Sequence, residues 1–269
     1  YNVATTSQLI TIGKTTPVLT FTSANTVNVD GSLTATITTT ASSGRGGVIT
    51  YSVAAGSGSV TVNATTGLIV GISAGTVTLT ATSAGDTNYN AASVSQLFTI
   101  GKTTPVLTIT SANTLNVNNS LTATVTTTAT GGRGGAFTYG IIAGSGSATV
   151  NSATGLVTAV SVGTVTLTVT SAGDANYNVA TTSQLITIGK TTPVLTITSL
   201  NAVTVLKSLT LTVVTSATLG RGGVITYAVV AGSGSATLNS STGVLTGVSV
   251  GTVTLTATSA GDTNYNIAT

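Results

Sequence analysis

The sequence predicts an all-β protein made of tandem seven-stranded antiparallel β-sandwiches in an extended array. Three observations predict it. A motif repeats with a fixed period. Thr and Val, whose branched side chains suit pleated strands, dominate the composition. Apolar and polar residues alternate over short stretches bounded by Gly- and Asn-rich turns.

The period is read from Gly13-Lys14-Thr15-Thr16-Pro17, which recurs 88 residues on as Gly101–Pro105 and again as Gly189–Pro193. The same offset relates Arg45, Arg133 and Arg221, and also Asp86, Asp174 and Asp262. A period of this length is too long for a solenoid repeat and suits a small independent sandwich. The expected units are 13–100, 101–188 and 189–269. Residues 1–12 share the phase of 89–100, so they read as the final strand of a preceding repeat, and 189–269 reads as a repeat lacking that strand. Either the chain is cut from a longer array, or the front strand completes another subunit by strand addition.

Within the first repeat the expected strands are 16–22, 32–39, 48–54, 59–63, 68–72, 76–82 and 93–100. Pro17 opens the first of them, where a missing N–H is tolerated. Leu33, Ala35 and Ile37 fall on one face of the second, with Thr34, Thr36 and Thr38 on the other. Ile49, Tyr51 and Val53, and Val77, Leu79 and Ala81, form further apolar faces. Seven strands with one apolar face each bury those faces by packing as two sheets. The outward Thr rows make strands stiff and polar without charge, and Thr–Thr pairs across strands add a little stability.

The residues absent from the chain exclude whole classes of function. Of 269 residues, 4% are charged, and His, Cys, Met and Trp are missing. A Ser-His-Asp triad is therefore excluded. There are 4 acidic residues, all Asp, and a paired-carboxylate site within one repeat could use only Asp30 with Asp86. The equivalents of Asp30 are Asn118 and Leu206. The chain is read as non-enzymatic, without catalytic residues or cofactor. A net charge of +3, thinly spread, offers no basic stripe for a phosphate backbone. No apolar run reaches the roughly 18 residues that span a bilayer.

Two motifs resemble binding elements. Asp86-Thr87-Asn88-Tyr89-Asn90 recurs at 174–178 and 262–266 and echoes the opening of a calcium loop, but the loop glycine and any Glu are missing. It reads as an Asx-type turn with a packed Tyr, and no metal site is assigned. Gly44-Arg45-Gly46-Gly47 reads as a loop between the second and third strands, with no basic surroundings that would suit RNA.

The stretch from Tyr51 through Gly58-Ser59-Val60-Thr61-Val62, Thr66-Gly67-Leu68-Ile69 and Gly75-Thr76-Val77-Thr78-Leu79-Thr80-Ala81 resembles the bacterial immunoglobulin-like (Big) repeat. Thr154-Gly155-Leu156-Val157-Thr158-Ala159 with Gly163-Thr164 is closer still, and the family's aromatic, often Trp, is Tyr51, Tyr139 and Tyr227 here. The resemblance covers essentially the whole chain. It implies an immunoglobulin-like sandwich and a place in large bacterial surface proteins such as adhesins and invasins, including giant adhesins of gliding bacteria. The implied function is a stalk or filament segment, an extracellular spacer that presents a distal adhesive region. A glycan-binding module and a fibre subunit polymerised by donor-strand exchange are the other functions considered. Expected partners are neighbouring repeats, laterally or axially associated copies and surface glycans, with neither nucleic acid nor membrane insertion.

Strand alternation places the start of the first strand, the 40s loop and the 86–90 loop at one pole, facing the preceding repeat. The expected inter-repeat junction residues are therefore Lys14, Arg45 and Asp86; Lys102, Arg133 and Asp174; and Lys190, Arg221 and Asp262. In each set the carboxylate is expected to pair with one of the two cations.

Overall fold

The computed structural model describes residues 1–42, 46–132, 134–218 and 222–269. The first repeat contains β1 (Leu19–Phe21), β2 (Thr26–Asn28), β3 (Ser32–Thr34), β4 (Ile37–Thr39), β5 (Ile49–Ala54), β6 (Ser59–Val62), β7 (Leu68–Ser73), β8 (Gly75–Ser83) and β9 (Ala92–Gly101). Three sheets result, ordered β2-β9-β8-β5, β3-β7-β6 and β1-β4. The long β8–β9 and β5–β8 ladders are antiparallel, and their inner faces carry Val77, Leu79, Ala81 and Phe98, each at most 2% exposed. Val77, Leu79 and Phe98 join Ile69, Val29 and Ile100 in the core of the repeat.

Two features depart from the seven expected strands. The 32–39 stretch is divided: β3 pairs with β7, while β4 pairs with β1. The chain crosses between sheets at Ala35, which is buried and donates its N–H to the Gly67 carbonyl. The second feature is β2, absent from the expected set, which adds in parallel to β9 with Val27 opposite Ile100. Three residues are too few to show a period.

Thr pairs span the small sheets as their outward rows led us to expect, with Thr22 and Thr36 hydroxyls 2.9 Å apart and Thr110 and Thr124 hydroxyls 2.8 Å apart. Two glycines explain recurring sequence marks. A Cβ on Gly67 would lie 2.9 Å from the Tyr51 ring, so the Thr-Gly turn and the tyrosine of the third strand require each other. Burial raises the pKa of the Tyr51 hydroxyl. A Cβ on Gly135 (φ +78°) would lie 2.3 Å from the Gly173 carbonyl oxygen, so two loops meet there with room for hydrogen alone.

The second repeat follows the same plan in β10 (Leu107–Ile109), β11 (Thr114–Asn116), β12 (Ser120–Thr122), β13 (Val125–Thr127), β14 (Phe137–Ala143), β15 (Ser147–Val150), β16 (Leu156–Ser161), β17 (Gly163–Ser171) and β18 (Ala180–Gly189), with sheet orders β11-β18-β17-β14, β12-β16-β15 and β10-β13. The third contains β19 (Leu195–Ile197), β20 (Ser208–Thr210), β21 (Val213–Thr215), β22 (Ile225–Ala231), β23 (Ser235–Leu238), β24 (Val244–Ser249) and β25 (Val253–Ser259). Among its described residues it shows no counterpart of β2 or β9, and β22-β25 is a two-stranded sheet. Val253 and Leu255 are only half-buried there, whereas their equivalents Val77 and Leu79 are fully buried. Residues 1–12 form no strand and are exposed.

The chain divides into two compact units whose boundaries do not follow the 88-residue period. The first comprises Tyr1–Val106 with Thr127–Ala136 and Ser171–Ala180; the second comprises Leu107–Thr126, Phe137–Thr170 and Thr181–Thr269. Loops of the second repeat thus belong to the same compact unit as the whole of the first.

Candidate functional site: the inter-repeat joint

The first unit contains one joint between repeats. The loop 174–178 is shaped by the Asp174 carboxylate, whose Oδ1 accepts the N–H groups of Asn176 (2.7 Å) and Tyr177 (2.9 Å). Its Oδ2 accepts the Gly134 N–H at 2.8 Å, tying in the neighbouring loop. These backbone donors, with a smaller contribution from the Lys102 ammonium, lower the Asp174 pKa. The Ser171 hydroxyl donates to the Gly134 carbonyl.

Held this way, the loop presents two side chains to the preceding repeat. Asn176 Oδ1 accepts the Ala74 N–H at 2.9 Å. Tyr177 enters the first repeat's core beside Val29 and Ile100 and is 1% exposed. Its hydroxyl donates to the Asp30 carboxylate and accepts the Thr130 N–H at 3.1 Å. Asp30 can face it because its backbone is left-handed (φ +62°), a conformation Asp tolerates. The linker is fixed too: the Thr103 hydroxyl donates to the Val29 carbonyl, and Val29 N–H donates to the Gly101 carbonyl at 2.9 Å.

The second unit holds an equivalent joint. Tyr265 is 1% exposed within the core of the second repeat, Asn264 Oδ1 accepts the Val162 N–H at 2.9 Å, and the Thr191 hydroxyl donates to the Val117 carbonyl. Here the partner of the tyrosine hydroxyl is neutral, since Asn118 donates its side-chain N–H to it. At the corresponding place in the third repeat stands Leu206, 84% exposed with φ +63°.

The expected junction residues are brought together in part through the backbone. Lys14, Lys102 and Lys190 each donate from Nζ to the backbone carbonyl of Asp86, Asp174 and Asp262, at 2.7, 2.6 and 2.7 Å. The three carboxylates all accept backbone N–H groups: Asp86 takes Asn88, Tyr89 and Gly46, and Asp262 takes Asn264, Tyr265 and Gly222. Arg45, Arg133 and Arg221 lie outside the described residues. The residues that charge alone did not reveal are Asp30, Asn118, Tyr177, Tyr265, Asn176 and Asn264. The available signal was the recurrence of Asn-Tyr in each 86–90-type loop.

No group of three or more Asp, Glu, His or Cys able to hold a metal occurs among the described residues, and no described helix is long and apolar enough to cross a membrane. The arrangement buries an aromatic ring in the preceding repeat and hydrogen-bonds a short linker to it.

No curated protein matches the chain. Among solved structures, the chain is similar to a C-terminal 282-residue fragment of intimin in complex with the intimin-binding domain of the translocated intimin receptor (16% identity, 67% of each chain covered, TM-score 0.27). It is also similar to human CDH23 EC21–23 (16% identity, 88% of this chain and 93% of that one, TM-score 0.30). A third similarity is to three N-terminal domains of the bacteriophage RB49 outer capsid protein Hoc (15% identity, 94% of each chain, TM-score 0.26). Residues 103–183 match the family model of the bacterial Ig-like domain (group 2). One repeat of this chain is thus similar to a bacterial immunoglobulin-like domain.

Proposed function

We propose that the chain is a stalk segment of a large bacterial cell-surface adhesin, an extracellular spacer holding a distal adhesive region away from the cell in surface attachment or gliding. The observation that supports this reading is the joint: Tyr177 lies in the core of the preceding repeat, and the Thr103 linker is bonded to the same repeat. A spacer must transmit position, and a joint with a buried aromatic and a fixed linker resists bending far better than a free linker does. The surface-protein context of bacterial Ig-like domains and the scarcity of charged residues agree with it.

Spin labels on the first and third repeats test it by pulsed electron resonance. The wild-type chain should give a narrow distance distribution. Tyr177→Ala and Tyr265→Ala should broaden it while the repeats stay folded. A broad distribution that neither variant changes would count against a stalk.

A further inference from the structure

The outer face of the β5-β8-β9 sheet carries no charge. Its side chains stand in rows across the three strands. Ser52, Thr80 and Ser95 make one row, and Ala54, Thr78 and Leu97 the next. Leu97 is 60% exposed there. The 88-residue offset places Ile142, Thr166 and Leu185 in the equivalent row of the second repeat, on β14, β17 and β18. Both flanking residues of that row are large and aliphatic, 60% and 58% exposed, on either side of a half-buried threonine. The cores of both repeats are complete without these side chains. Aliphatic groups left in water at the same place in successive repeats mark an interaction surface.

The chemistry of the face narrows what covers it. Every described charged residue lies outside the strands, so an ion brought against the face would find no counter-charge. Thr80 and Ser95 hydroxyls are 2.8 Å apart, and those of Thr170 and Thr181 are 3.4 Å apart. Hydroxyls that already pair across the sheet lose water at little cost. The nearby rings, Tyr51 and the 1% exposed Phe98, turn into the core, which leaves no outward aromatic platform for a sugar ring. The surface therefore suits an uncharged protein face, and a second copy of the chain brings one. Over the six paired residues of β5 the three strands cover about 14 Å by about 20 Å, roughly 300 Å². That is short of the roughly 800 Å² that each partner of a stable complex buries. Recurrence supplies the face more than once, and contacts made in tandem reinforce one another.

We propose that the outer face of the β5-β8-β9 sheet and its counterpart on β14, β17 and β18 are lateral interaction surfaces for a second copy of this chain. The two copies stack sheet on sheet, as the sheets of a sandwich do. Leu185 of one copy seats over Thr166 of the other, between that copy's own Ile142 and Leu185. The contact is self-complementary, so a two-fold axis relates the copies. It joins spacers side by side, which goes beyond the stalk reading and does not depend on it.

Sedimentation equilibrium of the 269-residue chain over a concentration series tests this. The apparent mass should rise from 26.0 kDa toward twice that value. Leu97→Lys with Leu185→Lys should hold the chain at the monomer mass and leave its melting temperature unchanged, because both positions are exposed. Leu97→Thr with Leu185→Thr, which suits a strand, should weaken association by about a hundredfold. Wild-type association should persist in molar sodium chloride, since it has no ion pairs to screen. A wild-type chain that stays monomeric overturns the proposal and leaves the stalk reading standing. Association that survives the double lysine variant overturns it too, as does association that salt dissolves, which would place the contact at the charged loops.

Discussion

The Tyr177 hydroxyl donates a hydrogen bond to the carboxylate of Asp30, 147 residues earlier in the chain. At the next joint Tyr265 meets Asn118 over the same separation of 147 residues. The two joints share a shape and differ in one charge. A hydrogen bond to an ionised acceptor is about twice as strong as a neutral one.

Tyr177→Phe should therefore cost more than Tyr265→Phe: about 1.5–3 kcal/mol against about 0.5–1.5 kcal/mol. Removing the ring as well should cost about 3–5 kcal/mol at either site, the usual range for emptying an aromatic pocket. Differential scanning calorimetry of the four single variants measures this. Equal losses for the two Phe variants would show that the Asp30 charge contributes nothing.

Leu206 occupies a left-handed backbone position, φ +63°, where its equivalents are Asp and Asn. A residue other than Gly, Asn or Asp there costs about 1–2 kcal/mol, and Leu206 repays little by packing at 84% exposure. Leu206→Asn or Leu206→Gly should stabilise the chain by about 1 kcal/mol in urea unfolding.

The lowered pKa of Asp174 gives the joint an acid dependence of known sign. Its folded pKa lies below the ordinary 3.8, so the stabilisation is present above 3.8 and is lost as pH falls through the folded value. The melting temperature should thus drop below about pH 4. Asp174→Asn should lower it at neutral pH and flatten that part of the acid profile.

Chelation should leave the melting temperature unchanged. The Asp86 and Asp174 carboxylates already accept three backbone N–H groups each. A calcium ion needs six or more oxygens, and each loop has one carboxylate. A drop on adding EDTA that calcium reverses would refute this.

Gly135→Ala should be among the costliest single changes, at about 2–4 kcal/mol. It adds a left-handed strain at φ +78° to a methyl 2.3 Å from the Gly173 carbonyl oxygen. Because those loops carry Asp174 and Tyr177, the same variant should loosen the joint, read as faster amide exchange at Ala74 and Val29.

The sequence by itself determined the 88-residue period, the all-β class and the principal strands. Each of these is local: alternation and turn residues need no knowledge of what lies nearby. Tertiary structure alone decided what the periodic residues do. The strand order put the recurring Lys, Arg and Asp at one pole; the structure shows each lysine binding the aspartate's backbone carbonyl, and the carboxylates taking up backbone N–H groups that no sequence pattern displays. The tyrosine of the loop read as packed, without a partner named; Tyr177 and Tyr265 pack into the repeat before. The three-residue β2 and the division at Ala35 were also invisible, because both depend on which sheet edge is free to pair. Burial and pairing over separations such as 147 residues are properties of the folded chain, and a repeating sequence does not state which copy its side chains will meet.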